Sequence, residues 1–145
     1  MARYDINSFC TTSRRQVLAG IVSLASAAAW STQVWANPVF RSYPFTLGVA
    51  SGDPAPDGFV IWTRLAPAPF DGGGMPNRIV AVDWEVASDR SFAHIIAKGT
   101  APARPELGHS VHVEVNGLQP ASDYFYRFLA GSERSQVGRA RTFVA

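Results

Sequence analysis

The sequence almost lacks cysteine. Cys10 is the single cysteine of 145 residues, and it precedes the first apolar run of the chain. No disulfide or thiolate metal ligand can therefore form after that point, and a lipoprotein, which needs a cysteine behind its apolar run, is excluded. A domain of this length buries roughly 60–70% of its unfolded surface, so its core can be stable without disulfides.

Residues 37–145, the greater part of the chain, also lack an excess of either positive or negative charge. The formal net charge of +2 comes from the first 36 residues, where Arg3, Arg14 and Arg15 stand against Asp5. Residues 37–145 are neutral, with ten basic and ten acidic side chains. Surfaces that bind nucleic acid or anionic membranes need clustered Lys and Arg. We therefore expect no nucleic-acid partner, and the length allows one ordinary domain.

No apolar run is long enough to span a membrane. The longest one extends from Val17 to Trp30, whereas a helix needs ~20 apolar residues to cross ~30 Å of hydrocarbon. Its length is that of a signal-peptide core. Ala36 ends a short stretch of the kind that signal peptidase recognises, which places the predicted cleavage before Asn37.

Two adjacent arginines precede this run. Arg14 and Arg15, with Leu18 three residues further on, have the spacing of a twin-arginine export signal, although Val17 and Ala19 depart from its commonest residues. The alternative is a general secretory signal that happens to contain two arginines. We predict a twin-arginine signal peptide over residues 1–36, no membrane contact after cleavage, and a periplasmic or secreted mature domain over residues 37–145.

The chain after residue 37 lacks any convincing helical period. Short alternating or fully apolar runs are separated by turn residues about every ten positions, which is typical of antiparallel strands. We therefore predict an all-β, immunoglobulin- or fibronectin type III-like antiparallel sandwich of about seven strands. The predicted strands cover residues 45–49, 58–65, 79–87, 92–98, 110–115, 123–129 and 137–143.

Five residues have predicted structural roles in this sandwich. Trp62 and Trp84 lie on predicted strands, and we expect both to fill the core. Leu118 and Pro120 followed by Tyr124 have the spacing of a tyrosine corner, in which the tyrosine hydroxyl bonds to backbone just upstream. Leu118 would plug the core under that turn. The alternative is a chance tyrosine four residues after a proline.

The histidines do not predict a metal site. His109 and His112 are three residues apart, a spacing that puts them on opposite faces of a strand. His94 lies on a different predicted strand, and nothing in the sequence brings it near the other two. Surface or rim positions are therefore favoured over metal ligation for all three.

Serine and carboxylate chemistry is equally unsupported. Ser51 is not followed by the strand-to-helix elbow of an esterase. Asp53 and Asp57 flank a Pro-Ala-Pro turn, where Asp is common because it bonds to the backbone. A single small sandwich also rarely supplies the cleft that paired carboxylates need. We therefore predict no catalytic, cofactor-binding or metal site in this chain.

Residues 66–77 form the longest predicted flexible segment. They contain three prolines and Gly72-Gly73-Gly74, which follows no strand and opens no helix, and so is interpreted as linker rather than as a phosphate cradle. Phe70 and Met75 in this segment are either mobile or docked against a neighbour. Exposed apolar side chains more often occur singly and without function.

Eight segments of the chain carry a resemblance to a known family: residues 45–54, 60–65, 82–87, 109–113, 117–120, 124–128, 135–139 and 141–142. Together they resemble the N-terminal domain of the PhoD-type alkaline phosphatases, a family that includes secreted phosphodiesterases described as phospholipase D. The resemblance begins near Pro44 and continues to the last residue, and a twin-arginine signal is the one that this family uses.

The resemblance implies more than this chain contains. Family members carry a metallophosphatase domain of several hundred residues after the sandwich, whose ligands bind calcium and iron for phosphoester hydrolysis. The chain stops at Ala145, where that domain would begin, so no metal ligand has a matching position here. What the resemblance leaves is the accessory domain, which packs beside the metallophosphatase domain and shapes access to its site.

Two functions remain open from the sequence. The first is the leading fragment of a phosphatase, inactive alone, whose partner is a metallophosphatase domain in cis or in trans. The second is a free-standing exported binding module. The first predicts an exposed apolar patch for docking, and the second predicts a polar, self-sufficient surface. We favour the fragment because the resemblance continues to the final residue, and nothing in the sequence supports a third possibility, a complete small hydrolase.

Overall fold

The computed structural model describes residues 38–144, which form eight strands and one short 3-10 turn. The predicted signal peptide, with Arg14, Arg15 and Ala36, lies outside the described residues. Within them, no helix is long and apolar enough to cross a membrane. The strands are β1 (Val49–Ala55), β2 (Gly58–Arg64), β3 (Val80–Ala87), β4 (Ile95–Ala103), β5 (Ser110–Val115), β6 (Asp123–Ala130), β7 (Glu133–Arg134) and β8 (Gly138–Arg141).

The strands form two antiparallel sheets that face each other. The first sheet has the order β1-β2-β5. The second has the order β4-β3-β6, and both β7 and β8 pair with the remaining edge of β6. The prediction of an all-β, immunoglobulin- or fibronectin type III-like sandwich is therefore confirmed.

Alternation along the strands builds the core between the sheets. On β6 the buried residues are Tyr124, Tyr126, Phe128 and Ala130, with half-buried residues between them. A period of two places every second side chain on the inner face of a sheet. β2, β3 and β5 also place inward side chains in the core, and their main contributions are Phe59, Ile61, Val80, Val82, Val86, Val111 and Val115.

The first strand does not lie where the sequence predicted it. Residues 45–48 form a turn, in which the Gly48 N–H donates to the Phe45 carbonyl at 3.0 Å, and β1 begins at Val49. β1 also continues through Asp53 and Pro54, which were predicted to close it. A bulge permits this, since these two residues lie between the Gly52 and Ala55 pairs of the ladder and Asp53 has a φ of 46°.

The tyrosine-corner geometry is present. The Gln119 N–H donates to the Tyr124 hydroxyl at 2.9 Å, and Tyr124 is buried. Leu118 is buried beneath the turn, and its N–H donates to the Asp57 carbonyl at 2.8 Å. Pro120 stays at the surface of the turn. These contacts join the β5–β6 crossover to the β1–β2 hairpin.

The prediction that Trp62 fills the core was wrong, because its side chain is 43% exposed on the outer face of the first sheet. The neighbouring Thr63 is buried instead, and its hydroxyl is satisfied by the Gly48 carbonyl at 2.8 Å. Trp84 is half-buried and packs against the core. It lies directly opposite Gly99 on β4, so it forms the margin of the core rather than its centre.

Candidate functional site

Trp62 and His112 form an exposed aromatic stack on the outer face of the first sheet. The register of the sheet places Trp62 between Ala50 on β1 and His112 on β5. The two ring centroids are 5.9 Å apart, with planes inclined by only 19°. Ala50 rises little above the backbone, so the indole is supported on the β5 side and open on the β1 side.

Charged side chains flank this stack along the strands. Arg64 lies one outward position beyond Trp62 on β2, and its Nε donates to the Gly108 carbonyl at 2.9 Å. Glu114 lies one outward position beyond His112 on β5, beside Val60. We call the outward surface formed by Ala50, Val60, Trp62, Arg64, His112 and Glu114 the Trp62 face.

A second exposed aromatic lies on a closed turn between β2 and β3. Ala68 and Gly73 exchange two backbone hydrogen bonds of 3.0 Å, and the Asp71 N–H also donates to the Ala68 carbonyl. Phe70 at the tip of this turn is fully exposed, whereas Met75 packs against the core. The segment predicted to be a flexible linker therefore has a defined conformation, which we call the Phe70 turn (residues 68–73).

His109 fixes the base of the β2–β3 connection. It is 5% exposed, just ahead of β5, and its Nε2 donates to the Arg78 carbonyl at 3.0 Å. The Leu65 N–H donates to the His109 carbonyl at 3.1 Å. The prediction of a surface or rim histidine was therefore wrong here. The sequence could not show this, because His109 precedes the strand and has a φ of 57°.

A groove runs between the chain that leads into the sandwich and the β2–β3 connection. Residues 39–42 form one wall of the groove, and residues 67–68 and 74–76 form the other. The groove has a volume of about 540 Å³. The Ala66 N–H donates to the Pro44 carbonyl at 2.8 Å, and the Ser42 hydroxyl donates to the Pro67 carbonyl at 3.1 Å. These bonds hold the two walls together.

The structure does not unite the other candidate residues. His94 is exposed near the start of β4 beside Asp89. Ser51 lies on β1 opposite Ile61. Burial raises the pKa of the Tyr126 hydroxyl, an effect that the Ser51 side chain partly offsets. Asp53 and Asp57 occupy the bulge of β1 and the β1–β2 hairpin.

No candidate metal centre is present in the part of the chain that the structure describes. Within residues 38–144, no three His, Cys, Asp or Glu side chains lie close enough together to hold a metal ion. His109 is buried, whereas His112 points outward into the Trp62 face.

Sequence reasoning missed the Trp62–His112 pair, although a signal for it existed. Both strands were placed correctly, and β5 alternates valines with outward polar residues. Aligning the two strands antiparallel, with the buried Val111 opposite Thr63, brings His112 opposite Trp62. Choosing that register needed the knowledge that Thr63, and not Trp62, faces the core.

Comparison with known proteins finds similarity to one phosphatase family. A family model described as "PhoD-like phosphatase, N-terminal domain" matches residues 26–144. Alkaline phosphatase D of Bacillus subtilis (strain 168) is 50% identical over 143 residues, covering 93% of this chain. A solved structure of PhoD superposes with a TM-score of 0.74 and 59% identity over 74% of this chain.

The similarity covers only a part of these longer proteins. The chain spans 24% of the length of alkaline phosphatase D and 21% of the solved PhoD chain. A human fibronectin type III domain is more distant, with a TM-score of 0.42 and 14% identity over 67% of this chain and 72% of that domain.

Proposed function

The chain belongs to the family of PhoD-like phosphatase N-terminal domains, and on that premise we propose that it is the exported accessory domain of a PhoD-like alkaline phosphatase or phosphodiesterase. In this proposal it has no catalytic activity of its own. Phosphoester hydrolysis is carried out by a metallophosphatase domain, in cis or in trans, beside which this sandwich packs.

The observation that carries the proposal is the match to alkaline phosphatase D. Half of the aligned residues are identical over nearly the whole chain, yet the match occupies only about a quarter of that enzyme. In that enzyme, a region like this one therefore belongs to a much longer polypeptide. Its name supports the activity, and the remaining three-quarters of its length leave room for a separate catalytic part.

The family's calcium and iron do not fit the residues of this chain that the structure describes. Such a centre needs several carboxylate, histidine or thiolate ligands converging on one point. No such group exists within residues 38–144, and His94, His109 and His112 occupy different environments. We therefore derive no metal-dependent step from this chain.

The contribution of this chain would be a rigid surface. Its loops are tied by backbone hydrogen bonds, and its core is continuous between the two sheets. A surface that is already ordered loses little conformational entropy when it packs against a neighbour. Such a domain can hold the elements around a catalytic entrance in place without touching the reacting atoms.

Export is supported by the extent of the same match. Coverage of 93% of the chain leaves at most about ten residues unaligned, so the similarity includes most of residues 1–36. The paired Arg14 and Arg15, the short apolar run and Ala36 then act as a twin-arginine signal peptide. We propose a periplasmic or secreted location on this basis.

A domain exchange tests the accessory role. The part of B. subtilis alkaline phosphatase D that aligns with residues 37–145 of this chain is replaced by those residues, and phosphatase activity is measured on a chromogenic phosphate ester. We expect kcat/KM to stay within about tenfold of the parent enzyme, which is about 1.4 kcal/mol of transition-state free energy.

The control carries an unrelated fibronectin type III domain at the same position. It preserves the sandwich but replaces its surface, so we expect it to lose most of the activity or to aggregate. Equal activity in the two chimeras would show that this chain contributes nothing specific. An inactive chimera whose inserted sandwich is folded would contradict the accessory role.

A free-standing binding module is the alternative function, and the self-contained core favours it. Most of the buried hydrophobic residues that the structure describes form one cluster within this chain. This alternative predicts that the purified chain is stable and monomeric and that it binds a ligand without any phosphatase domain. Failure of the domain exchange together with such a ligand would establish it.

A further inference from the structure

We propose that the Trp62 face is the surface by which this domain docks onto the metallophosphatase domain, with the Trp62 indole as its central anchor. The inference rests on the proposed accessory function and adds the surface that performs it.

The position of Trp62 is not explained by the fold. Neighbouring residues of β2 and β5 that point inward, such as Ile61, Thr63 and Val111, are buried and make the core. Outward residues of a half-solvated sheet are ordinarily polar. A Trp that is 43% exposed on that face leaves apolar surface in water, and burying it against a second body removes that cost.

The surrounding residues hold the indole ready for binding. His112 stacks against one side of the Trp62 ring, and Arg64 is fixed by its bond to the Gly108 carbonyl. Trp and Arg are over-represented among residues that dominate binding energies. Because both side chains are already positioned, docking would cost little rotamer entropy.

The partner that would cover the Trp62 face is inferred from the longer proteins that contain a domain like this one. The part that this chain does not match makes up more than three-quarters of alkaline phosphatase D and of the solved PhoD chain. Identity to PhoD is 59% over the superposed part, whereas only about a quarter of residues 38–144 are buried. The shared residues must therefore extend to the surface.

The family model covers residues 26–144 and therefore includes both the Trp62 face and the Phe70 turn. The two aromatic side chains differ in how they are held. Trp62 is stacked on His112 between two paired strands, whereas Phe70 is fully exposed at the tip of its turn. An anchor that is already ordered loses less rotamer entropy on docking, which favours the Trp62 face over the Phe70 turn.

The face also defines the chemistry of its counterpart. An apolar hollow of the size of an indole ring would receive Trp62 on its open β1 side, where Ala50 leaves space. A carboxylate would pair with the outward end of Arg64, and a cation would face Glu114. Paired opposite charges at the rim fix the register of two surfaces more than they add affinity.

Hydroxyl-radical footprinting, read by mass spectrometry, tests the docking surface. Oxidation of Trp62 and of Phe70 is compared in the free full chain and in the alkaline phosphatase D chimera. Activity and a cooperative thermal unfolding transition of the chimera are recorded first, so that failure of the accessory function is recognised independently. We expect Trp62 oxidation to fall at least about fivefold in the chimera, since a docking anchor is fully desolvated, and Phe70 oxidation to stay unchanged.

The outcomes are distinct. Protection of Trp62 alone supports the proposal. Protection of Phe70 alone, or of neither residue, in an active chimera overturns the Trp62 face and leaves the accessory role intact. An inactive chimera with a folded sandwich overturns the accessory role, and the docking proposal with it.

A pair of variants provides a second, independent test of the docking surface. Trp62→Ser and Phe70→Ser each remove one exposed aromatic side chain, and the melting temperature of the free full chain shows whether either disturbs folding. In the chimera, Trp62→Ser should separate the unfolding of the sandwich from that of the phosphatase into two transitions, and Phe70→Ser should not. Identical behaviour of the two variants would contradict the proposal.

Discussion

At the scale of single residues, one hydroxyl ties β6 to the turn that precedes it. Replacing Tyr124 by Phe leaves the Gln119 N–H without its partner in a partly buried turn. We expect the free energy of unfolding to fall by about 1–2 kcal/mol, measured by urea denaturation of the full chain.

The matched control is Tyr43→Phe. The Tyr43 hydroxyl also donates to a backbone carbonyl, that of Arg134 at 2.9 Å, but on the exposed surface. Water can replace that bond, so its loss should cost less than about 0.5 kcal/mol. Equal losses for the two variants would show that the corner has no special role.

Residue roles could be predicted where one face of a strand was unambiguous. Leu118 and Tyr124 were recognisable because the corner has a fixed spacing. Trp62 was not, because β2 is apolar on both faces, with Phe59 and Ile61 on one and Val60 and Trp62 on the other. The decisive contact, from the Thr63 hydroxyl to the Gly48 carbonyl, joins β2 to the turn that precedes β1 and cannot be read from the local sequence.

At the scale of elements, a single carboxylate organises the loop between β3 and β4. Asp89 accepts hydrogen bonds from the Ser91 hydroxyl and from the backbone N–H groups of Ser91, Ala93 and His94. The Ser91 hydroxyl, followed by the backbone of His94 and Ala93, holds the pKa of Asp89 well below its ordinary value. The charged form is therefore the one that the folded loop favours.

This pKa gives the loop a predicted pH dependence. A depressed carboxyl pKa stabilises the folded state above the unfolded pKa of about 4 and loses that contribution as the pH falls through the folded value. We expect Asp89→Asn to melt below the parent chain near neutral pH, by a margin that narrows below about pH 4. Melting curves of both chains, recorded from neutral pH to below about pH 4, measure the difference between their melting temperatures. A difference that does not change with pH would be inconsistent with the charge of Asp89 as the cause.

The β3–β4 pairing depends on a close approach at Gly99. A Cβ at this position would lie 2.8 Å from the Trp84 ring, within the core margin. We expect Gly99→Ala to destabilise the chain by about 1–3 kcal/mol through overpacking. Gly52→Ala in β1 is the control, because its Cβ would meet nothing within 4 Å, and it should be neutral within about 0.5 kcal/mol. Urea denaturation distinguishes them.

Elements with a clean period were predictable, and those shaped by distant contacts were not. β5 was placed at its observed bounds because its valines alternate with polar residues. β4 was expected at residues 92–98 but begins at Ile95, since the Asp89 loop occupies the preceding residues. β1 was displaced because a bulge at Asp53 lets a turn-like sequence stay in the sheet.

At the scale of the whole molecule, export is testable by size and location. We expect a mature product of about 12 kDa, roughly 109 residues of about 110 Da each once the signal is removed, in the periplasmic fraction or the medium on an immunoblot. Substituting Lys for both Arg14 and Arg15 should leave the uncleaved chain inside the cell, and Arg3→Lys should not. Normal export of the double variant would favour the general secretory alternative.

The functional surface as a whole could be predicted only in part. The absence of a predicted catalytic site and the resemblance to a phosphatase family together indicated an accessory domain. The Trp62 face could not be derived, because it depends on the register between β2 and β5 and on which side of β2 is buried. Register is a property of the assembled sheet.

The described chain enters and leaves the sandwich at opposite ends. Pro38 lies against Gly131 at one end of β6, whereas the Phe143 N–H bonds to the Ala55 carbonyl at the other. A strand of eight residues is about 27 Å long, so the two ends are separated by roughly that distance. A tensile force applied between them would run along β1 and β8 and load their ladders to β2 and β6 in shear, so that many hydrogen bonds would have to break together.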